Sequence, residues 1–351
     1  MKEIIKKIIR TIFFLFIIVV FFELFLRFTE ISLPSYVYDS PKFGRIQKPG
    51  ADYFSILGEG FGMGKVNKFG YLGPAYPKNK DKEVIRIALV GDSYVEGNYL
   101  FDRQHYRYLL EKKLSMLIDK KVEVLNFGVG GYNLRDIYIN FKKRVLEYNP
   151  NIVIIFIREG NFLQKDANPG PNLELKNGSL KIEYKYKNTK QYKLRMEFQL
   201  LREYSIGNLI KETYEEYSRK NYGKLLFGKL YSIFHPSNNL ASNNSDSSNV
   251  IDKYYSINKV ILEKLSEYNN SPIKIFIAKS NNYPVYYDNL ISKYHLSTID
   301  LDSLLYKYSK GTEILNYWKA SGETGHWNHK AQRIIGNYLA NYIYNYFYKK
   351  K

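Results

Sequence analysis

From Val84 onward, short apolar runs alternate with segments whose apolar residues recur at three- and four-residue spacing. That alternation predicts an α/β fold, a parallel sheet with helical crossovers. The expected strands are Ile85 to Val90, Val122 to Phe127, Ile152 to Ile157, Ile273 to Ala278 and Ser297 to Leu301, about five in all. Tyr106 to Ile118 and Leu134 to Leu146 are expected helices, and Pro150-Asn151 and Ser271-Pro272 supply turns into the third and fourth strands. Asn328 is the expected N-cap of a last helix from His329 to Phe347, with Ile334, Ile335, Leu339 and Ile343 on its packed side.

Before this pattern begins, the chain reads differently. Met1 to Arg10 carries Lys2, Lys6, Lys7 and Arg10, then Thr11 to Phe22 holds no charge, and Glu23, Leu24-Phe25-Leu26 and Arg27 follow. Extended from Ile8 to Leu26, the apolar stretch approaches the ~20 residues a membrane helix needs. Positive charge ahead of it keeps the N-terminus cytoplasmic, so everything past about residue 30 is expected outside the cytoplasm. No Ala, Gly or Ser stands between Glu23 and Glu30 to form a cleavage site, which favours an uncleaved signal-anchor over a removed signal peptide. Residues 1–30 are therefore read as stub and transmembrane helix. Residues 31–83, rich in Pro, Gly and Tyr, read as an extended lead-in, and the alternating Gly58, Gly60, Gly62 and Gly64 as a plain loop.

The strand–helix alternation occupies residues 84–163 and resumes over 251–351. Between them, 164–250 is too long for an ordinary connection and is expected to be a mostly helical, cap-like insert. Asn177-Gly178 between alternating runs predicts a hairpin, and Tyr192 to Phe234 reads as helical with breaks near Gly207 and Tyr222-Gly223. Asn238 to Asn249 reads as a polar linker.

Composition narrows the chemistry. The chain has 351 residues, 45% of them hydrophobic, enough for a sizeable core. Its net charge of +19 comes from scattered lysines, no recognition motif accompanies it, and no nucleic-acid partner is expected. The absence of cysteine excludes disulfides, thiolate nucleophiles and Cys-based zinc sites. The five histidines are dispersed with no metal-ligand spacing, so neither a metal nor a cofactor is expected.

Serine chemistry fits better. Gly91-Asp92-Ser93 stands directly behind the first strand, where Ser93 is a candidate nucleophile. A serine hydroxyl needs a neighbouring base with a pKa near the working pH, and His326 is the expected one. Glu323, three residues earlier in a Gly-flanked turn, is the expected carboxylate to orient it. For an oxyanion, the expected donors are the Ser93 N–H, the backbone of Gly131 in Gly128-Val129-Gly130-Gly131, and the Asn161 side chain after Gly160. Asp92 is expected to fix the turn, His329 to face solvent at the start of the last helix, and His105, His235 and His295 to play no part.

In order and content, these segments resemble the four blocks of the SGNH (GDSL-type) hydrolases. Gly91-Asp92-Ser93 with Gly97 is similar to the nucleophile block, and Asn126 to Gly131 to the glycine block. In the third, Asn161 follows Gly160, with Phe162 where an aspartate is common and Glu159 where a glycine is common. The fourth carries Glu323 in place of aspartate before His326, then Trp327-Asn328. The resemblance implies a flavodoxin-like three-layer α/β/α fold and ester chemistry. A membrane-anchored, extracytoplasmic serine esterase or O-acyltransferase follows as the expectation, acting on acyl, most plainly acetyl, esters of a cell-envelope glycan. A catalytically silent glycan- or partner-binding protein, and a lipid esterase or thioesterase, are the alternatives.

Overall fold

The computed structural model describes residues 1–29, 31–55, 59–163, 170–219, 247–280, 283–309, 315–319 and 322–349. The chain divides into two compact units, one of residues 1–36 with 194–245, the other of residues 37–193 with 246–351. In the first, α1 (Lys2–Thr29) is a 28-residue helix, long and apolar enough to cross a membrane, with a window of mean hydropathy 2.6.

The second unit opens with two antiparallel hairpins, β1 (Val37–Ser40) with β2 (Gly44–Gln47), and β3 (Asp52–Ser55) with β4 (Gly62–Lys65). The extended lead-in is thus partly hairpin, and Gly60 and Gly62, read as part of a plain loop, are held by close packing. A Cβ on Gly62 would lie 2.1 Å from the Asn98 carbonyl oxygen, and one on Gly60, at φ +129°, would lie 2.7 Å from the Trp318 ring.

Next come β5 (Ile85–Gly91), the single-turn α2 (Ser93–Glu96), α3 (Tyr106–Ile118), β6 (Val122–Gly128), α4 (Leu134–Lys143), β7 (Ile152–Arg158) and α5 (Glu159–Leu163). A hairpin, β8 (Asn172–Lys176) with β9 (Ser179–Glu183), turns at Asn177-Gly178, both residues at positive φ. That pair of left-handed residues is what a tight two-residue hairpin needs. Two helices follow, α6 (Lys190–Arg202) and α7 (Ser205–Arg219). Residues 164–250 therefore contribute to both units, the hairpin to the second and 194–245 to the first. Most of the predicted Asn/Ser linker, and Tyr222-Gly223, lie outside the described residues.

The chain closes with α8 (Ser247–Ser266), β10 (Lys274–Ser280), α9 (Val285–Lys293), β11 (Ser297–Asp300), α10 (Leu301–Ser309), the short pair β12 (Tyr317–Trp318) and β13 (Glu323–Thr324), and α11 (His329–Tyr344). The five predicted runs form one parallel sheet in the order β11-β10-β7-β5-β6. Counted along the chain this is 5-4-3-1-2, the flavodoxin-like doubly wound order.

Strand residues alternate between two cores. Ala88, Val90, Leu125, Phe127, Val153 and Ile155 pack under α4, α8 and α9. Ile87, Leu89, Val124, Ile152, Ile154 and Phe156 pack under α3, α10 and α11. Buried on both faces, the strands had to read as near-continuous apolar runs. The switch point, where the chain turns from β5 outward to β6 on one side and β7 on the other, lies at the carboxyl ends where ligands gather in such sheets.

Candidate active site

Ser93 is held at that edge by a turn with little freedom. Asp92, buried, caps α2 by accepting from the Tyr94 N–H at 3.0 Å, and Gly97 closes the helix in the left-handed conformation at φ 64°. The strand end and the glycine block meet backbone to backbone. Val129 N–H donates to the Gly91 carbonyl at 3.1 Å, and a Cβ on Gly128 would lie 2.2 Å from the Glu96 nitrogen. A Cβ on Gly130 would stand 3.8 Å from that of Ser93, so the glycine block lies beside Ser93.

One residue that sequence reasoning missed fixes this block. Buried Glu96 accepts from the Gly130 N–H at 2.8 Å and from Gln47 Nε2 at 2.9 Å, while Gln47 also donates to the Gly128 carbonyl at 2.6 Å. Its only signal in the sequence was a charge three residues past a candidate nucleophile.

His326 Nε2 lies 2.7 Å from Ser93 Oγ. Its ring rests between Tyr94 and Tyr99, with centroids 4.6 and 4.9 Å away, and Trp318 Nε1 donates to its carbonyl at 3.0 Å. Burial raises both tyrosines above the ordinary phenol range, so they stay neutral beside it. Just beyond, Asn328 caps α11 as predicted, accepting from Lys330 and Ala331 N–H groups at 3.1 Å each.

The carboxylate on the far side of the ring is Glu59, not the predicted Glu323. Glu59 Oε2 faces His326 Nδ1 in a short contact and accepts from the His326 backbone N–H at 2.9 Å. Glu323 pairs through its backbone with Trp318 in β13, and its side chain lies outside the described residues. Glu59 belongs to the loop entering β4, and the place it occupies is cleared by a glycine, since a Cβ on Gly325 would fall 2.2 Å from Glu59 Cδ. The side chains of His326 and Glu59 are 25% and 24% exposed, so the site opens to solvent while Ser93 is only partly covered.

Asn161 requires a second correction. Its Nδ2 donates to Asp92 Oδ2 at 3.0 Å and to the Tyr132 carbonyl at 2.8 Å, and its Oδ1 accepts from the Arg158 N–H at 2.7 Å. Fully buried, with both amide hydrogens committed, it braces the Asp92 turn and has none left for an oxyanion. Arg158 completes the brace, its Nε donating to Asp92 Oδ2 at 2.7 Å while its guanidinium lies over Tyr94. Gly131, exposed at φ +81°, follows Gly130, whose Cβ would stand 3.8 Å from that of Ser93.

Three of the remaining histidines are described. His329 is exposed in the first turn of α11. His105 is buried as the N-cap of α3, and His295 ends α9 in the left-handed conformation at φ 50°. His235 lies outside the described residues.

No protein-family model matches the sequence, and neither does any curated protein. Solved structures similar to the chain include a lipolytic protein of the G-D-S-L family from Desulfitobacterium hafniense, at 12% identity over 73% of this chain and 98% of that one, with a TM-score of 0.38. An acetyl xylan esterase, AlAXEase, is similar at 16% identity over 74% and 100% of the two chains, with a TM-score of 0.38. A lipase/acylhydrolase from Enterococcus faecalis gives 14% identity over 74% and 95%, again with a TM-score of 0.38.

Proposed function

We propose that this chain is a membrane-anchored, extracytoplasmic serine esterase or O-acyltransferase of the SGNH kind, acting on acyl esters of a cell-envelope glycan. One observation carries the enzymatic reading. Ser93 Oγ, His326 Nε2 and Glu59 stand in hydrogen-bonded sequence, with the outer carboxylate on Nδ1.

A carboxylate can only accept, so Nδ1 bears the hydrogen and Nε2 presents its lone pair to the serine hydroxyl. In the proposed mechanism Ser93 Oγ attacks the ester carbonyl as His326 takes its proton, and the imidazolium formed is held by Glu59. Negative charge on the carbonyl oxygen is met by the backbone N–H groups of Ser93, at the first turn of α2, and of Gly131. His326 then returns the proton to the departing sugar oxygen, leaving an acyl-serine. Water, or a second sugar hydroxyl in the transferase variant, attacks that ester with His326 again as base.

The anchor reading draws support from α1 and its ties. Glu23 Oε1 and Oε2 accept from the Ser205 and Ile206 N–H groups at 2.9 and 3.0 Å, and Arg27 Nη2 donates to the Glu203 carbonyl at 3.1 Å. The Glu23 bonds cap α7, so removing α1 as a signal peptide would strip a helix N-terminus of its acceptor. The glycan substrate rests on the resembled family and on the envelope polymers that such an anchor faces.

The test is covalent labelling of the full chain with a fluorophosphonate, followed by peptide mass spectrometry. Labelling is expected on Ser93 and lost in Ser93→Ala, with His326→Ala labelled far more slowly. A folded protein that remains unlabelled would refute the enzymatic reading.

A further inference from the structure

A groove of about 1060 Å³ lies within the first unit, between α1 and the α6–α7 pair. Phe16, Val19, Val20 and Leu24 form its α1 wall, and Phe198, Leu201 and Ile210 face them. The groove is open, and Leu194, outside its lining, extends the apolar surface. On α6, Leu194, Phe198 and Leu201 repeat at four- and three-residue spacing and are 49%, 56% and 56% exposed, and Ile210 on α7 is 65% exposed. Three- and four-residue spacing places those α6 side chains on one face.

Depth is set by Glu23. It is the one carboxylate between Thr11 and Phe28, and the structure gives it a specific duty, capping the first turn of α7. That bond pins the α6–α7 corner to the outward end of α1, roughly three helical turns from the cytoplasmic side of its uncharged stretch. Basic side chains border the groove as well. Arg27, Arg202 and Lys211 all border the groove, and Arg202 reaches Ser35 Oγ at 2.7 Å. Apolar walls continuous with a spanning helix, bordered by cations, match the chemistry of a bilayer's outer interface, where acyl chains end and phosphates begin.

We propose that α6 and the first turns of α7 form an interfacial membrane element, with the acyl chains of outer-leaflet phospholipids filling the groove and their phosphates facing Arg27, Arg202 and Lys211. This deepens the anchor reading and rests on it. A single span would tether the enzyme on a free stalk. A second, in-plane contact capped by Glu23 fixes how the chain leaves the membrane.

The absence of cysteine in the sequence permits a clean test. Single variants Phe14→Cys, Phe198→Cys, Leu201→Cys and Met116→Cys of the full chain are labelled with an environment-sensitive fluorophore. Each is then reconstituted in phosphatidylcholine–phosphatidylglycerol vesicles carrying nitroxide lipids, the spin label either near the headgroup or near the chain end. Phe198 and Leu201 labels are expected to emit to the blue and to lose most of their emission to the shallow nitroxide. The Phe14 label, in α1, is expected to be quenched by the deep one, and the Met116 label, 76% exposed on α3, by neither.

Quenching at Phe14 with water-like emission at Phe198 and Leu201 would overturn the interfacial element and leave the anchor standing. Blue emission at those two sites without lipid quenching would overturn it in favour of a protein cover. Loss of quenching at Phe14 itself would sink the anchor reading and this inference with it.

Discussion

Glu59 Oε2 accepts from both the backbone N–H and the ring Nδ1 of His326, across 267 residues of chain. The first bond fixes the root of the side chain, and the second fixes the plane and tautomer of the ring. Nδ1 has a single hydrogen, so Glu323 has no remaining role on that nitrogen. Glu59→Gln is therefore expected to lower kcat on a nitrophenyl acyl ester by about 10³- to 10⁴-fold, because the amide can offer its own N–H and favour the wrong tautomer. Glu323→Gln is expected to stay near the parent rate. Because the triad acts as a unit, Ser93→Ala with Glu59→Gln should be no slower than Ser93→Ala alone. The reverse ranking of the two glutamates would return the role to Glu323.

Gly325 tests the same contact from the other side. A Cβ there would meet Glu59 Cδ at 2.2 Å and Oε1 at 2.3 Å, the movable end of a side chain and not backbone. Gly325→Ala should leave the fold intact and push the carboxylate off the imidazole. A displacement of about an ångström can cost on the order of 10²-fold in rate, and that is the loss expected in kcat, with a melting temperature close to the parent's. Combined with Glu59→Gln, the alanine should add little, since the contact it disturbs is already gone. Additive losses in the double variant would mean that Gly325 acts on something other than Glu59.

Asn161 should behave as a brace. Asn161→Ala removes three hydrogen bonds in a fully buried place, taking the acceptor from the Arg158 N–H and the donor from the Tyr132 carbonyl, while Asp92 Oδ2 keeps only Arg158 Nε. A stability loss of roughly 2–3 kcal/mol is expected by urea denaturation. The fraction that stays folded should lose less than the ~10²- to 10³-fold in kcat that follows removal of an oxyanion donor. Unchanged stability with a large, selective fall in kcat would restore the amide to the oxyanion.

Why the sheet was readable and the carboxylate was not comes down to range. Ile85 to Val90 and Ile152 to Ile157 announce themselves because a strand buried on both faces must be apolar along its length, a property of each segment alone. Ser93 and His326 were legible because each lies next to a strand or helix end whose local pattern fixes its place. Glu59 has no such neighbour. It sits among alternating glycines that look like a loop; Gly60 and Gly62 acquire meaning only against Trp318 and Asn98, and Glu59 itself only against Gly325 and His326, residues distant in sequence. Glu323 had the appeal of being local. Asn161 illustrates the opposite error, since its position after β7 was read correctly, while the acceptors that consume its amide, Asp92 and Tyr132, come from two other loops.

His105 gives the fold a measurable dependence on pH. The ring is buried as the N-cap of α3, its Nδ1 accepting from the Arg107 N–H at 3.0 Å. Burial, with Arg107 adding to it, lowers its pKa to about 3. The unfolded chain takes up this proton near the ordinary histidine value of about 6.5, whereas the folded chain resists it until far lower pH. Stability from a depressed group is complete above the unfolded pKa and is lost as pH falls toward the folded one. His105 should therefore contribute a slope approaching 1.4 kcal/mol per pH unit between about pH 6 and pH 4. His105→Asn keeps an acceptor at the N-cap and removes the titration. Urea denaturation across that range is expected to give a shallower decline for the variant than for the parent, even if the variant starts lower at neutral pH from lost packing. Parallel declines would show that His105 takes up its proton alike in the folded and unfolded chains.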